Sequence, residues 1–308
     1  MDIYDLDIGK PVNKKWVVEA KVGEGACGVV YRVHDVENKK IKAALKTEAN
    51  DENGVLRKEA NVIKQLQLRK HMVRLIHCGK REQYSYIVMT LYGKNLNQIK
   101  KDYELKNFTH GCVSKIAIQA LYAIKQVHEI GYIHRDVKPS NMVIGRQGME
   151  KRMVFLIDFG MCRAYAVWEG GVARHRKARE KALLRGTARY CSPQVHSRQE
   201  QGRRDDVWAL EWLDIFTHIR NLTYEDRPNY RLIYDKLLAT MTRLKTTFTD
   251  LYDWEVIQSQ KKADQKDKSS TQSSADARSS TTASNSKESP YPFPNVNPVE
   301  FDSNDIKL

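Results

Sequence analysis

The stretch His134-Arg135-Asp136-Val137-Lys138-Pro139-Ser140-Asn141, followed by Asp158-Phe159-Gly160, holds the residues best suited to chemistry. Moving a phosphoryl group onto a hydroxyl needs a carboxylate to take the hydroxyl hydrogen, an amide oxygen for one Mg²⁺, and a carboxylate for the metals. Asp136, Asn141 and Asp158 offer these in that order and at that spacing. A chance H-R-D is easy to find, but the ordered set leaves little room for a purely structural reading. Lys138 stands two residues after Asp136, where it can reach the group in transit, a placement that goes with serine or threonine acceptors. Thr187, in Gly186-Thr187-Ala188-Arg189-Tyr190, is expected to brace Asp136 and Lys138, against the alternative of an ordinary turn threonine.

Two further groups lie upstream. Val22 precedes Gly23-Glu24-Gly25-Ala26-Cys27-Gly28-Val29-Val30, which fits G-x-G-x-x-G-x-V. Glycines here let backbone amides approach phosphate oxygens without a Cβ in the way. A glycine hairpin alone is not specific, and a dinucleotide fingerprint has similar spacing. The following VVYRVHD reads as a strand rather than a helix, which favours a flap over a Rossmann turn. Lys46 ends the apolar run Ala43-Ala44-Leu45, and Glu59 follows thirteen residues on in a helical segment. The pair could hold α- and β-phosphates; the bland alternatives are a surface lysine and an exposed helix glutamate.

Positioning these groups requires two kinds of element. Residues 15–95 are rich in strand-like runs (WVVEAKVG, GVVYRVHD, KAALKTE, YSYIVMTL), interrupted by a helix over 55–67 with Leu56, Ala60, Ile63 and Leu66 on one face. Residues 96–256 have a helical pattern, clearest over 113–130. From 257 onward Ser, Thr and Lys dominate without periodicity, so 257–308 is expected to be a disordered tail. Within it PYPFPNVNPVEF reads as a linker remnant, with a docking peptide as the alternative.

With these motifs placed, the chain resembles the casein kinase I superfamily and, within it, the tau-tubulin kinase branch. The residues that carry this are HRDVKPSN (134–141), LIDFGMCR (156–163), RGTARYCSPQVH (185–196), GRRDDVWAL (202–210) and the closing Asp253-Trp254-Glu255. The resemblance implies an α+β, two-lobed protein kinase fold: a 1–11 extension, an N-lobe over 12–92, a C-lobe over 93–256, then the tail. It implies ATP and Mg²⁺ as cofactors, with the metal on Asn141 and Asp158. Lys46 would pair with Glu59, Met89 would be the gatekeeper, and Thr90 to Tyr92 the hinge for adenine beneath Val22, Val30 and the glycines Gly23, Gly25 and Gly28. Asp206 would hold the catalytic loop's backbone. One departure stands out: after Leu213 several dozen C-lobe residues of the family are missing. The join keeps an apolar stripe through Val207, Leu210, Leu213, Phe216, Ile219 and Leu222, compatible with one continuing helix.

The net charge of +14 lies entirely in residues 1–256, because the tail is neutral. Such a body favours anionic partners. Between Asp158 and Gly186 there is no serine or threonine, and Tyr165 is the lone hydroxyl. Arg174, Arg176, Lys177, Arg179, Lys181 and Arg185 crowd the same segment. Together with Arg189 they suggest acidic or pre-phosphorylated protein substrates, the alternative being a solvated basic loop. The five scattered cysteines contain no C-x-x-C pair, which argues against a zinc site or disulfide framework. No apolar run spans a membrane, no specific nucleic-acid motif appears, and a monomer in the cytosol or nucleus is expected. The competing functions are an inactive kinase-fold scaffold, such as a splice variant, and a polyanion binder.

Overall fold

Alternation along the N-terminal strands sorts their side chains onto two faces. In the computed structural model, which describes residues 5–25, 28–50, 54–210, 218–270 and 297–308, six strands form one antiparallel sheet. They are β1 (Pro11–Val12), β2 (Trp16–Gly25), β3 (Gly28–Asp35), β4 (Lys42–Ala49), β5 (Leu75–Lys80) and β6 (Tyr84–Thr90), in the order β1-β2-β3-β4-β6-β5. One face closes on Val18, Val29, Tyr31, Val33, Leu45 and Val88. The other carries Ala44, Ile87 and Met89 against helix α1 (Leu56–Gln65). On β4 the odd positions Ala43 and Leu45 enter the first core, so Lys46 and Glu48 fall on the face that looks toward α1. Strand parity therefore decides that Lys46 meets the helix.

The predicted apolar face of α1 is buried as expected at Leu56, Ala60, Ile63 and Leu66, and Val62 joins it. The helix has no side-chain cap of its own at Val55. Glu48 supplies one from β4, accepting the backbone N–H of Val55 at 2.9 Å and of Leu56 at 2.8 Å. A carboxylate there satisfies two otherwise orphaned donors and suits the positive end of the helix dipole.

The C-lobe is arranged around α3 (His110–His128), preceded by α2 (Leu96–Asp102) with an Asn95–Gln98 capping box. Helix α3 is buried nearly all round, its polar Lys115, Gln119 and His128 included, so it lies inside the lobe, packed on α6 (Tyr230–Arg243). Short ladders follow it: β7 (Tyr132–Ile133) pairs with β10 (Arg163–Ala164), and β8 (Met142–Ile144) with β9 (Val154–Leu156). A hairpin of β11 (Ala166–Glu169) and β12 (Val172–His175) turns at Gly170 and Gly171, both at positive φ. Then come α4 (Pro193–His196), α5 (Arg203–Trp208), α6 and α7 (Asp253–Ser270). No helix among the described residues is long and apolar enough to cross a membrane.

Three sequence expectations change. The disordered tail gives way where the chain is described: α7 runs past 257 to Ser270, and residues 297–308 pack on the body with Phe301 fully buried. Neither could be read from local composition, because the apolar partners lie far away in sequence. The expected 1–11 extension is also revised over its described residues 5–11: Leu6 N–H donates to the Tyr31 hydroxyl and β1 pairs with β2. The continuous helix expected from Asp206 to Leu222 ends at Trp208 instead. Val207 and Ile219 are buried as the stripe predicted, while Leu222 is half-buried. The join at Leu213, with Phe216, lies outside the described residues.

Candidate active site

Two clusters form between the lobes. In the first, the Lys46 ammonium lies 2.8 Å from Glu59 Oε2 and 2.9 Å from Asp158 Oδ1. Lys46 and Glu59 are both buried. Burial works against the ammonium, but the two carboxylates outweigh it and raise its pKa. Burial also opposes the Asp158 charge, and Lys46 holds that carboxyl below its ordinary value. Asp158 adopts φ +66°, a left-handed backbone that non-glycine residues avoid unless the surroundings enforce it. The Phe159 ring beside it is buried against His134, with centroids 5.2 Å apart.

In the second cluster Asp136 is surrounded by donors. Its Oδ1 accepts from Thr187 N–H at 3.0 Å and from the Thr187 hydroxyl at 2.8 Å. Its Oδ2 lies 2.7 Å from the Lys138 ammonium and accepts from Asn141 Nδ2 at 3.2 Å. Lys138 also donates to Thr187 Oγ1 at 2.8 Å. Thr187 thus bridges Asp136 and Lys138 as the sequence suggested. Asn141 spends its amide hydrogens on the Asp136 carbonyl and carboxylate, leaving its oxygen as an acceptor.

The platform beneath is Asp206, at the start of α5. Its carboxylate accepts His134 N–H at 2.6 Å and Arg135 N–H at 2.7 Å, and His128 Nε2 lies 2.9 Å away. Burial would raise this carboxyl, but His128 and the backbone donors hold it below its usual value. Burial pushes the His128 pKa down, and its Nδ1 lies 2.5 Å from the Tyr230 hydroxyl. Asp206 is legible in the sequence, whereas His128 and Tyr230 lie on elements that meet it only in the folded lobe.

The remaining predicted residues lie on the N-lobe strands and the chain just after β6. Val30 is paired with Lys46, Met89 with Ala44, and Gly25 with Gly28. Met89 is buried, Val30 half-buried and Val22 exposed. Gly23 and Gly25 have open space where a Cβ would project, which suits a flap over a ligand. Thr90 N–H is held by the Arg74 carbonyl, and Tyr92 donates to the Met72 carbonyl at 3.1 Å while stacking on Phe155.

The donor set fits ATP and Mg²⁺. No group of three or more His, Cys, Asp or Glu side chains placed to hold a metal ion occurs among the described residues. One carboxylate and one amide oxygen are a hard, incomplete shell of the kind that magnesium completes with phosphate and water.

The activation segment, between Asp158 and Gly186, draws an anion from Glu200, which lies beyond it. Glu200, buried, lies 2.5 Å from Arg179 Nε and 3.5 Å from Arg163 Nε. Nearby Arg135 has φ +67° and donates to the Met161 carbonyl at 2.6 Å. Burial and the neighbouring Arg163, Arg179 and Arg185 push its pKa down to about 10. Of the basic residues noted in the sequence, Arg179 is thus neutralised internally and Arg174 faces Glu169 at 3.4 Å. Lys177, Lys181, Arg185 and Arg189 have no ion pair among the described residues. The Tyr165 hydroxyl is buried and donates to the His128 carbonyl at 2.8 Å, so it is not presented to solvent.

The protein kinase domain family profile matches residues 16–285. A Caenorhabditis elegans protein named as a serine/threonine-protein kinase is 43% identical over 212 residues, 68% of this chain and 61% of that protein. A Caenorhabditis elegans protein named as a casein kinase I is 32% identical over 250 residues, covering 79% of this chain and 72% of its own length. A third, named an inactive tau-tubulin kinase, is 31% identical over 236 residues, 60% of this chain and 80% of itself. The chain spans about three fifths of the length of the first two curated relatives it matches. Profile, relatives and two-lobed architecture agree that the chain belongs to the protein kinase family, within the casein kinase I superfamily.

Proposed function

We propose that this chain is a protein serine/threonine kinase that transfers the γ-phosphate of Mg-ATP to acidic or pre-phosphorylated protein substrates. The observation that carries the reading is the Asp136–Thr187–Lys138 triangle, set beside the Lys46–Glu59–Asp158 cluster. Bound Mg-ATP supplies the phosphoryl group and the metal charge that offsets its negative oxygens. Lys46, oriented by Glu59, would hold the α- and β-phosphates, and Asp158 with the Asn141 oxygen would hold the metal. Asp136 would accept the hydrogen of the substrate hydroxyl. Lys138 would meet the charge of the group in transit, while Thr187 keeps both side chains in register. The unpaired Lys177, Lys181, Arg185 and Arg189 support a preference for acidic flanks, since charge-assisted bonds to carboxylate or phosphate are the strong ones.

The test is Mg-ATP phosphotransfer to casein and to matched acidic and neutral peptides, with Asp136→Asn as the control. Transfer should fall by at least 10²-fold in the variant, and the acidic peptide should be preferred. Equal transfer by both proteins would sink the assignment of Asp136. A second reading, an inactive scaffold, is motivated by the relative named inactive and by the short C-lobe. ATP binding by folded wild-type protein without any transfer would establish it.

A further inference from the structure

Residues 297–308 touch the body in an unusual manner. A 3₁₀ turn (Pro298–Phe301) opens the segment, and its backbone–backbone hydrogen bonds stay inside it: Glu300 to Asn297, Asp302 to Val299, Lys307 to Asn304. Among the described residues it contributes no strand to any sheet. The hydrogen bonds between the segment and the body involve a side chain on at least one partner: Arg203 donates to the Leu308 carbonyl, Arg227 to the Ser303 carbonyl, and the Asp305 N–H donates to Glu129, which is how a bound peptide is held rather than a strand in a sheet.

The anchor is Phe301, with no exposed surface. It stacks on Tyr234 of α6 at 4.6 Å between centroids and meets Tyr122 of α3 edge-on at 5.8 Å. Burying such a ring removes the largest apolar group of the segment from water. Around it the charges are complementary. Asp305 pairs with Arg69 at 3.0 Å and Glu300 with Lys70 at 3.3 Å, both on the turn after α1. The fully buried Lys125 ammonium donates to the Ser303 hydroxyl at 2.8 Å and also pairs with Glu129 at 3.1 Å. The segment is acidic, whereas the whole chain carries +14.

We infer that residues 297–308 are an intramolecular ligand: a phenylalanine-anchored acidic peptide that docks in a groove of α3, α6 and the turn after α1. The groove is a peptide site separate from the cleft. Through Arg69 and Lys70 the docked segment fastens the turn that follows α1, and so the helix carrying Glu59, to the C-lobe. Its occupant is this chain's own segment, tethered through residues 271–296.

The experiment keeps the full chain. A protease site is placed within 271–296, the folded protein is cut, and the products are separated by size exclusion at micromolar concentration. The wild-type fragment should elute with the body, and a fluorescent peptide of residues 297–308 should exchange into it. The Phe301→Ala fragment should separate from a body that still melts cooperatively. Arg69→Glu should weaken peptide exchange at least tenfold, and an Asp305→Arg peptide should recover it. A wild-type fragment that separates as freely as the Phe301→Ala fragment overturns the inference. Retention of both fragments removes Phe301 as anchor and overturns it too. Unchanged exchange with Arg69→Glu overturns the grip on the turn after α1.

Discussion

Thr187 illustrates how much one hydroxyl can organise: it donates to Asp136 and accepts from Lys138 at 2.8 Å each. Its removal leaves both charged partners present but free to reorient. Thr187→Ala is therefore expected to lower kcat about 10- to 100-fold with little change in KM for ATP, since misplacement of reacting groups by about 1 Å costs on that scale. Steady-state kinetics with a single acidic peptide checks it; an unchanged kcat would show that Lys138 and Asn141 suffice. At His71 the physics is of another kind. The ring is buried, its Nδ1 meets the Val154 carbonyl at 2.7 Å and its Nε2 has no hydrogen-bond partner among the described residues; burial pushes its pKa down to about 4. The unfolded chain binds a proton there near the ordinary value of 6.5, well before the folded chain does. Stability is then fully present above pH 6.5 and is lost as pH falls toward 4, by about 2 kcal/mol at pH 5. Urea unfolding at pH 7 and pH 5 should show a smaller drop for His71→Asn, a residue that tolerates the positive φ of 61° at this position.

At the scale of elements, α1 depends on a cap that its own sequence does not provide. Glu48 reaches across from β4 to the first turn, two positions after Lys46 on the same strand face. One strand therefore both presents the lysine and fixes the helix that bears its partner. Glu48→Ala is expected to cost about 1–2 kcal/mol of stability by chemical denaturation. It should also lower kcat while Glu48→Gln retains part of the activity, because an amide oxygen can still accept one N–H. Equal behaviour of Ala and Gln would mean that the cap does not position α1. The activation segment shows the same economy of parts, with Glu200 meeting Arg163 and Arg179 where the segment has no serine or threonine to carry an added phosphate.

For the molecule as a whole, the net charge of +14 includes Lys177, Lys181, Arg185 and Arg189, which have no ion pair among the described residues. Exposed charges attract an anionic substrate over a distance that salt shortens: the screening length is about 10 Å at 0.1 M and about 3 Å at 1 M. KM for an acidic peptide is expected to rise several-fold between about 50 and 300 mM salt, while that for a neutral peptide stays nearly constant. Parallel curves for the two peptides would count against an electrostatic basis for substrate choice.

The candidate chemistry and the order of its motifs can be read from the chain alone. Asp136, Asn141, Asp158, Lys46 and Glu59 were legible because phosphoryl transfer needs those groups in motifs whose spacing is local. The α1 face and the strands that hold Lys46 were legible because their periodicity is local too. What tertiary structure decided are meetings between distant residues: Glu48 with the start of α1, His128 with Asp206, Glu200 with Arg179, and Phe301 with Tyr122 and Tyr234. A polar or Ser-rich stretch reads as disordered when its own apolar content is too small to offset the entropy of ordering. Residues 297–308 are ordered because the groove that receives Phe301 is built from α3 and α6, a contribution absent from the segment's own composition.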